Sequence, residues 1–243
     1  MRATVFAYDP AEPVEARVDR LRAALGHLDG IDLLRALVHG KFAGRIAMVS
    51  SFGAESAVLL DLVARVDPAT PVIFLDTLKL FPETLAYRDT LAARLGLTAV
   101  RSVQPDPHDL ERHDPDGSLW SYQPDLCCHI RKTEPLDLAL QGFDSWITGR
   151  KRFQGGRRGT LETIELDTGS GRIKINPLAR WTADDIRRYT AERGLPGHPL
   201  TAQGYASIGC MPCTRPVKPG EDARAGRWSW LDKTECGIHG EGI

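Results

Sequence analysis

The sequence predicts an α/β protein built on a doubly wound, mostly parallel sheet. Short, wholly apolar segments alternate with longer segments of helical period, Gly and Pro punctuate the joints, and the first apolar segment ends in a small-residue turn that opens a helix. Residues 14–39 come first, as one or two amphipathic helices, with Val14, Val18, Leu21, Leu25 and Leu28 at helical spacing. Residues 46–50 form a short apolar strand closed by Ser51-Phe52-Gly53, and a helix follows with Val58, Leu62, Val63 and Val66 on one face. Pro71 introduces a second strand, Val72-Ile73-Phe74-Leu75, ended by Asp76-Thr77. Pro82 suits the first turn of a further helix running to Leu95. Residues 98–103 read as a strand, 134–140 as a helix and 145–148 as another strand. Strands that are apolar throughout belong to a sheet covered on both faces. Residues 161–175 switch to a hairpin turning at Thr168-Gly169-Ser170-Gly171. Thr182 caps a helix through Arg193, with Asp184 and Asp185 in its first turn. Beyond Gly194 the periodicity fades, and the tail is expected to be irregular and held by whatever the cysteines bind.

The 243 residues suit one domain, or one domain with an appended lobe, and the expected division is a helical segment (1–40), an α/β domain (41–213) and a mobile tail (214–243). With 31 Lys+Arg against 32 Asp+Glu, the net charge of −1 gives no case for nucleic acid or a membrane surface as partner. No apolar run approaches the ~20 residues of a membrane span. The N-terminus has no signal-peptide core, and Asp9, Glu12, Glu15 and Asp19 argue against a transit peptide, so the protein is expected to be cytoplasmic.

The first strand-to-helix joint, Ser50-Ser51-Phe52-Gly53-Ala54-Glu55-Ser56, has phosphate-binding character: a small-residue turn presents backbone N–H groups at a helix N-terminus. It is neither a Walker loop nor a G-x-G-x-x-G turn. It resembles the Ser-Gly-Gly-x-Asp-Ser loop of the ATP-pyrophosphatase superfamily at Ser51, Gly53 and Ser56, which implies an adenine nucleotide alpha hydrolase-like fold. It departs at Phe52, Ala54 and Glu55 and has no lysine for a triphosphate, which favours a smaller anion.

Five cysteines, an odd number, argue against a disulfide framework. Cys127 and Cys128 are adjacent, Cys210 and Cys213 form a C-x-x-C, and Cys236 stands alone. A thiolate quartet suits tetrahedral zinc or an iron–sulfur cluster. Adjacent side chains in extended backbone point opposite ways, so Cys127 and Cys128 serve one centre only if the chain bends or the centre is large. Cys236 has Lys233 and His239 close by in sequence, where a thiol pKa falls. Residues 149–160 carry Arg150, Lys151, Arg152, Arg157 and Arg158 without an acidic residue. Lys151 is expected to be solvated, His113 and His129 to be solvent-facing or supporting rather than ligating, and Trp120, Trp146 and Trp181 to be core or interface aromatics.

Read in order, these pieces match a known family. Ser51-Phe52-Gly53-Ala54-Glu55, Leu75-Asp76-Thr77, Leu80-Phe81-Pro82-Glu83-Thr84 and Cys127-Cys128-His129-Ile130-Arg131-Lys132 come first. Trp146-Ile147-Thr148-Gly149, Asn176-Pro177-Leu178, Gly209-Cys210-Met211-Pro212-Cys213-Thr214, Gly226-Arg227-Trp228 and Glu235-Cys236-Gly237-Ile238-His239 follow. Over residues 45–239 the chain resembles the assimilatory sulfonucleotide (APS/PAPS) reductases of the adenylyl-sulfate, iron–sulfur type. The resemblance implies thioredoxin-dependent reduction of adenosine 5′-phosphosulfate (APS) to sulfite and AMP, with thioredoxin or glutaredoxin as reductant. Cys236 is then the nucleophile that becomes S-sulfocysteine, and Cys127, Cys128, Cys210 and Cys213 hold one 4Fe-4S cluster. Ser51, Phe52 and Gly53 face the nucleotide phosphate, and Leu75 lies near the adenosine. Lys132, Arg224, Arg227 and one of Arg157 and Arg158, with Arg158 favoured, meet the phosphosulfate. His239 is a candidate thiolate partner, and a homo-oligomer is compatible with the family. Leu78 stands where the family often has Gly, and Phe153 where an acidic residue is common.

Three other readings compete. The 3′-phosphorylated nucleotide (PAPS) is the substrate, alone or beside APS, although relatives that use it mostly lack the quartet. An ATP-dependent sulfur-transfer or tRNA-thiolation enzyme shares the loop but leaves Cys236 without a role. A zinc-stabilised binding protein explains the quartet and leaves the loop and the arginines unexplained.

Overall fold

The structure, a computed structural model, describes residues 12–231, 233 and 235–239. Asp9 and the side chain of Arg157 lie outside the described residues. Helices α1 (Val14–Leu25) and α2 (Gly30–Ala36), the latter widening into a π-helical turn at Leu37–Lys41, precede β1 (Ile46–Val49). Then come α3 (Ser56–Val66), β2 (Val72–Leu75), α4 (Pro82–Leu95) and β3 (Val100–Val103). Three short helices follow, α5 (Pro107–His113), α6 (Leu119–Tyr122) and α7 (Pro124–Cys128). A second π-helical turn (His129–Thr133) leads into α8 (Glu134–Ala139) and β4 (Ser145–Ile147). The hairpin β5 (Ile164–Asp167) and β6 (Arg172–Ile175), then α9 (Ala183–Glu192), complete the regular elements.

The six strands run in the order β3-β2-β1-β4-β6-β5, all parallel except β5, which pairs antiparallel with β6. The two-residue period of the strands divides the core. Ile46, Met48, Val72, Phe74 and Ile147 point to the face covered by α1 to α4 and α9, whereas Ala47, Ile73 and Trp146 point to the face covered by α8 through Leu136 and Ala139. Wholly apolar strands are the consequence of this double cover. Val18 and Leu21 of α1 and Leu33 and Leu34 of α2 sit in the same core as the sheet, and α1 packs on β5 and β6.

The expected elements are present with small changes at their ends: β3 begins at Val100, β4 stops at Ile147, and α9 ends at Glu192. Thr182 caps α9 in a reciprocal box: its Oγ1 accepts from the Asp185 amide at 3.1 Å, and Asp185 Oδ2 accepts from the Thr182 amide at 2.9 Å. Helices α5 and α7 escape a reading by periodicity because they are two turns or fewer. Their signal is Pro107 and Pro124 at the first helical position. No helix among the described residues is long and apolar enough to cross a membrane.

Candidate active site

Between β1 and β4 the sheet changes direction: the chain leaves β1 for β2 and β3 on one side and returns to β4 on the other. Such a switch point opens a crevice at the carboxyl ends of the strands. Here the crevice is lined by Ser50, Ser51 and Gly53 after β1, by Thr148, Gly149 and Arg150 after β4, and by Leu75 and Thr77 at the end of β2.

Phe52 explains the shape of the β1 loop. Its side chain is fully buried, edge-on to Phe74 with ring centroids 5.5 Å apart, and its amide donates to Ser50 Oγ at 3.2 Å. That anchor holds the residue at φ 47°, a left-handed conformation costly for a bulky side chain. The turned loop leaves the amides of Ser51, Gly53, Ala54 and Glu55 without an acceptor among the described residues, at the N-terminus of α3. These are the groups an oxyanion needs. At Gly53 a Cβ would lie 3.3 Å from the Ile208 carbonyl oxygen, so a side chain there would press on the opposite wall.

Lys151 corrects the sequence reading. It is buried rather than solvated, and its Nζ donates to Glu55 Oε2 at 2.9 Å and to the Gly149 carbonyl at 2.9 Å. Burial lowers its pKa, and Glu55 works against that shift. A basic run in sequence suggests solvent, but the strand-to-loop turn at Gly149 aims this lysine inward to the one acid of the phosphate loop.

Arg158, Arg224, Arg227 and Lys132 all line the crevice. Arg158 makes a two-pronged pair with Glu235, Nε to Oε1 at 2.6 Å and Nη2 to Oε2 at 2.9 Å, and its Nη1 donates to Gln154 Oε1. Arg224 Nη2 lies 3.5 Å from the same carboxylate. Arg227 stacks on Trp228 with its guanidinium carbon 4.4 Å from the ring centre. Gly209 makes room for it, since a Cβ there would fall 2.5 Å from that carbon. Arg157 belongs to the turn Gly156–Thr160.

The cysteines come together from two irregular segments. Cys127 and Cys128 end α7 and lead into the π-helical turn, where successive side chains diverge by a helical step rather than by half a turn. This is the local bend the adjacent pair requires. Cys210 caps a single turn (Met211–Cys213) that Cys213 ends, and an isolated bridge between Leu80 and Cys210 ties it to the β2–α4 loop. All four thiols are free and buried, and they surround one cavity with Trp120, Pro124 and Pro212. Beneath it Arg131 donates to the Thr77 carbonyl at 2.8 Å and pairs with Asp114. Among the described residues, no three His, Cys, Asp or Glu groups close around a single-ion position.

Burial pushes the Cys127 thiol up to about 12 and Cys213 to about 11, and raises Cys128. Burial acts on Cys210 as well, but Lys132, the Thr77 hydroxyl 3.2 Å away and Arg227 outweigh it and lower its pKa. Buried thiols of this kind become thiolates when a cationic centre joins them, so the donor set fits a thiophilic metal group. Lys132 and Cys210 line both the cysteine cavity and the crevice and form their common wall. Burial works against the charge of Lys132, yet Cys210, Cys236 and Cys128 around it raise its pKa.

Cys236 is half-buried beside Cys128, Cys210, Cys213 and Trp228, and it lines the crevice. Ile238 packs with Ala47 and Trp146. The His239 ring lies parallel to Trp146 at 5.7 Å, and its carbonyl accepts from Lys174 Nζ at 3.3 Å. Burial, with Arg150, Lys174, Arg158 and Arg224 nearby, pushes its imidazole well below the ordinary range. No hydrogen bond joins His239 to Cys236 among the described residues, so the ring is arranged as a neutral stacking group. Trp146 itself donates to Asp167 Oδ2 at 3.1 Å, and Asp167 pairs with Lys174 at 3.0 Å. Trp120 meets Trp230 edge-on at 5.8 Å, and Trp181 meets Tyr189 at 5.6 Å. Leu78 sits at φ 57° with half its surface exposed, the conformation for which glycine is suited. Phe153 is exposed at the rim.

Sequence reasoning missed Glu55 with Lys151, Thr77, the Trp146–Asp167–Lys174 group and Glu235. The signal for Glu235 was its place beside Cys236; the others depend on long-range packing.

The phosphoadenosine phosphosulfate reductase domain model matches residues 45–216. An adenosine 5′-phosphosulfate reductase of Mesorhizobium japonicum is 48% identical over 235 residues, which are 97% of this chain and 92% of that protein. Among solved structures, a phosphoadenylyl-sulfate reductase from Candida auris in a phosphate complex superposes with a TM-score of 0.70 at 28% identity, covering 86% of this chain and 99% of the other. An FMN adenylyltransferase from Candida glabrata, 15% identical with a TM-score of 0.56 and coverage of 89% and 74%, shares the fold alone. The switch-point crevice, the loop that opens it and these likenesses agree: the chain belongs to the phosphoadenosine phosphosulfate reductase domain family.

Proposed function

We propose that this chain reduces adenosine 5′-phosphosulfate to sulfite and AMP, with Cys236 as nucleophile. One observation carries the reading: a thiol outside the cysteine quartet shares a crevice with the unpaired amides of the β1 loop and with Lys132, Arg158, Arg224 and Arg227. An adenine nucleotide with an anionic sulfur at its far end uses each of these groups. Leu75 lies at the nucleoside side, the amides of Ser51 and Gly53 take the 5′-phosphate, and the guanidinium groups take the sulfate oxygens.

The Cys236 thiolate attacks the sulfur of the phosphosulfate. A sulfur–sulfur bond forms, the bond from sulfur to the phosphate oxygen breaks, and AMP leaves with that electron pair. Lys132 and the arginines oppose the charge that gathers on the leaving oxygen. The S-sulfocysteine is then attacked at Cys236 Sγ by a dithiol protein, thioredoxin or glutaredoxin. Sulfite departs, and the second thiol of the partner restores Cys236 and closes the partner's disulfide. Within the expected tail, residues 214–243, of which 232, 234 and 240–243 lie outside the described residues, the stretch that carries Cys236 is read as the part that moves between these two encounters.

Cys127, Cys128, Cys210 and Cys213 would hold a 4Fe-4S cluster, which would supply charge and polarisation near Lys132 rather than electrons. A cytoplasmic location fits thiols kept free. The 3′-phosphorylated nucleotide is the second reading, favoured by the Candida auris neighbour. Thiol-dependent sulfite release is to be measured for both nucleotides on anaerobically prepared protein with its iron and sulfide counted. Release from APS at a higher kcat/KM than from PAPS is expected. The reverse order selects the second reading, and release from neither rejects both.

A further inference from the structure

Arg158 spends Nε and Nη2 on Glu235 and Nη1 on Gln154, so all three of its nitrogens are engaged inside the protein. Arg224 leans on the same carboxylate. A carboxylate presents two oxygens at the spacing of one edge of a sulfate or phosphate, which is why an arginine fork takes either. One fork does not serve both at once. The residue immediately before the nucleophile thus occupies the place that the proposed function gives to the substrate.

We propose that Glu235 is an intramolecular stand-in for the substrate oxyanion: it parks Cys236 over the crevice through Arg158 and must give way when the phosphosulfate arrives. The inference rests on the proposed function for the identity of the anion, and on geometry alone for the latch. The second anchor of the tail is of a different kind. Ile238 packs against the cluster that contains Ala47 and Trp146, and His239 stacks on Trp146, so these two residues do not depend on the fork. Displacing Glu235 therefore frees the residue next to the nucleophile, while Lys233 on Asp125 before it and His239 on Trp146 after it keep the tail tethered. Glu235 acts as a positioning residue that sets nucleotide affinity; it does not touch the reacting sulfur.

Removing the competitor should tighten substrate binding. In a Cys236→Ser background, which cannot turn over, adding Glu235→Gln is expected to tighten APS binding about 10-fold by calorimetry. With Cys236 present, Glu235→Gln lowers KM more than it changes kcat. Unchanged or weaker APS binding in the double variant overturns the proposal. A second arm needs no nucleotide: alkylation of Cys236, located by peptide mass mapping. Arg158→Gln and Glu235→Gln each raise its rate several-fold, the double variant adds nothing further, and inorganic sulfate accelerates alkylation only where Glu235 and Arg158 are both present. Additive rates, or no change in either single variant, overturn the latch. If APS binds no variant while the alkylation pattern holds, the substrate reading fails and the latch stands.

Discussion

On the sheet side of the crevice, the loop after β1 is fixed by Phe52 buried against Phe74 and by the end of a strand paired on both sides. On the tail side, Cys236 is held by Glu235 on Arg158 and Arg224, by Lys233 on Asp125, and by Ile238 and His239 against the cluster around Trp146. The first wall presents backbone amides that cannot rearrange without breaking the core. The second presents side chains whose partners are exchangeable for a ligand. The proposed group transfer calls for both: a rigid seat for the part of the substrate that leaves unchanged, and a movable nucleophile that meets first the substrate and then a protein reductant.

This contrast is broken most severely at the four cysteines proposed to hold the cluster. Cys213→Ser is expected to lose iron and sulfide together and to cut sulfite production at least about 100-fold, while AMP binding on the sheet side falls by no more than about 3-fold. Elemental analysis beside AMP titration checks it. A fully loaded, active variant removes the quartet assignment, and a collapse of AMP binding shows the two walls to be one structural unit.

Lys151→Met tests the rigid wall. It leaves Glu55 without its ammonium partner beside the phosphate loop, a loss of about 1–3 kcal/mol. That corresponds to a fall in Tm of roughly 3–10 °C, together with weaker AMP binding because an uncompensated carboxylate then faces the anion. Unchanged Tm and affinity mean that the Glu55–Lys151 pair is incidental to the loop.

The smallest effect is expected at Leu78. Relief of its left-handed backbone by Leu78→Gly is worth about 1–2 kcal/mol, and the added freedom of the unfolded chain takes back about half. A rise in Tm of roughly 1–3 °C by calorimetry follows, with iron content unchanged. A fall would show that the exposed Leu78 side chain makes a stabilising contact.

What was legible in the sequence follows the same division. Apolar strands, the Thr182 cap and the Thr168-Gly169-Ser170-Gly171 turn act over a few residues, so periodicity and turn chemistry sufficed to read them. Lys151 was misjudged because its burial depends on Glu55, distant in sequence, and a basic run carries no sign of that partner. Glu235 was legible as a neighbour of Cys236 but not as a partner of Arg158. His239 was placed by spacing near the thiol, whereas the structure stacks it on Trp146 among four cations. Cysteine spacing groups the four that the structure brings to one cavity, and the helical end of α7 explains how Cys127 and Cys128 both turn to it.

If Cys236 takes the sulfur of the phosphosulfate itself, the protein carries that sulfur before any reductant arrives. Intact mass spectrometry of anaerobically prepared protein mixed with APS and no reductant reads this out. The predicted result is an adduct of sulfite mass on the peptide bearing Cys236, one AMP released per adduct, and neither in Cys236→Ser. AMP release without an adduct on Cys236, or an adduct that survives the substitution, would contradict it.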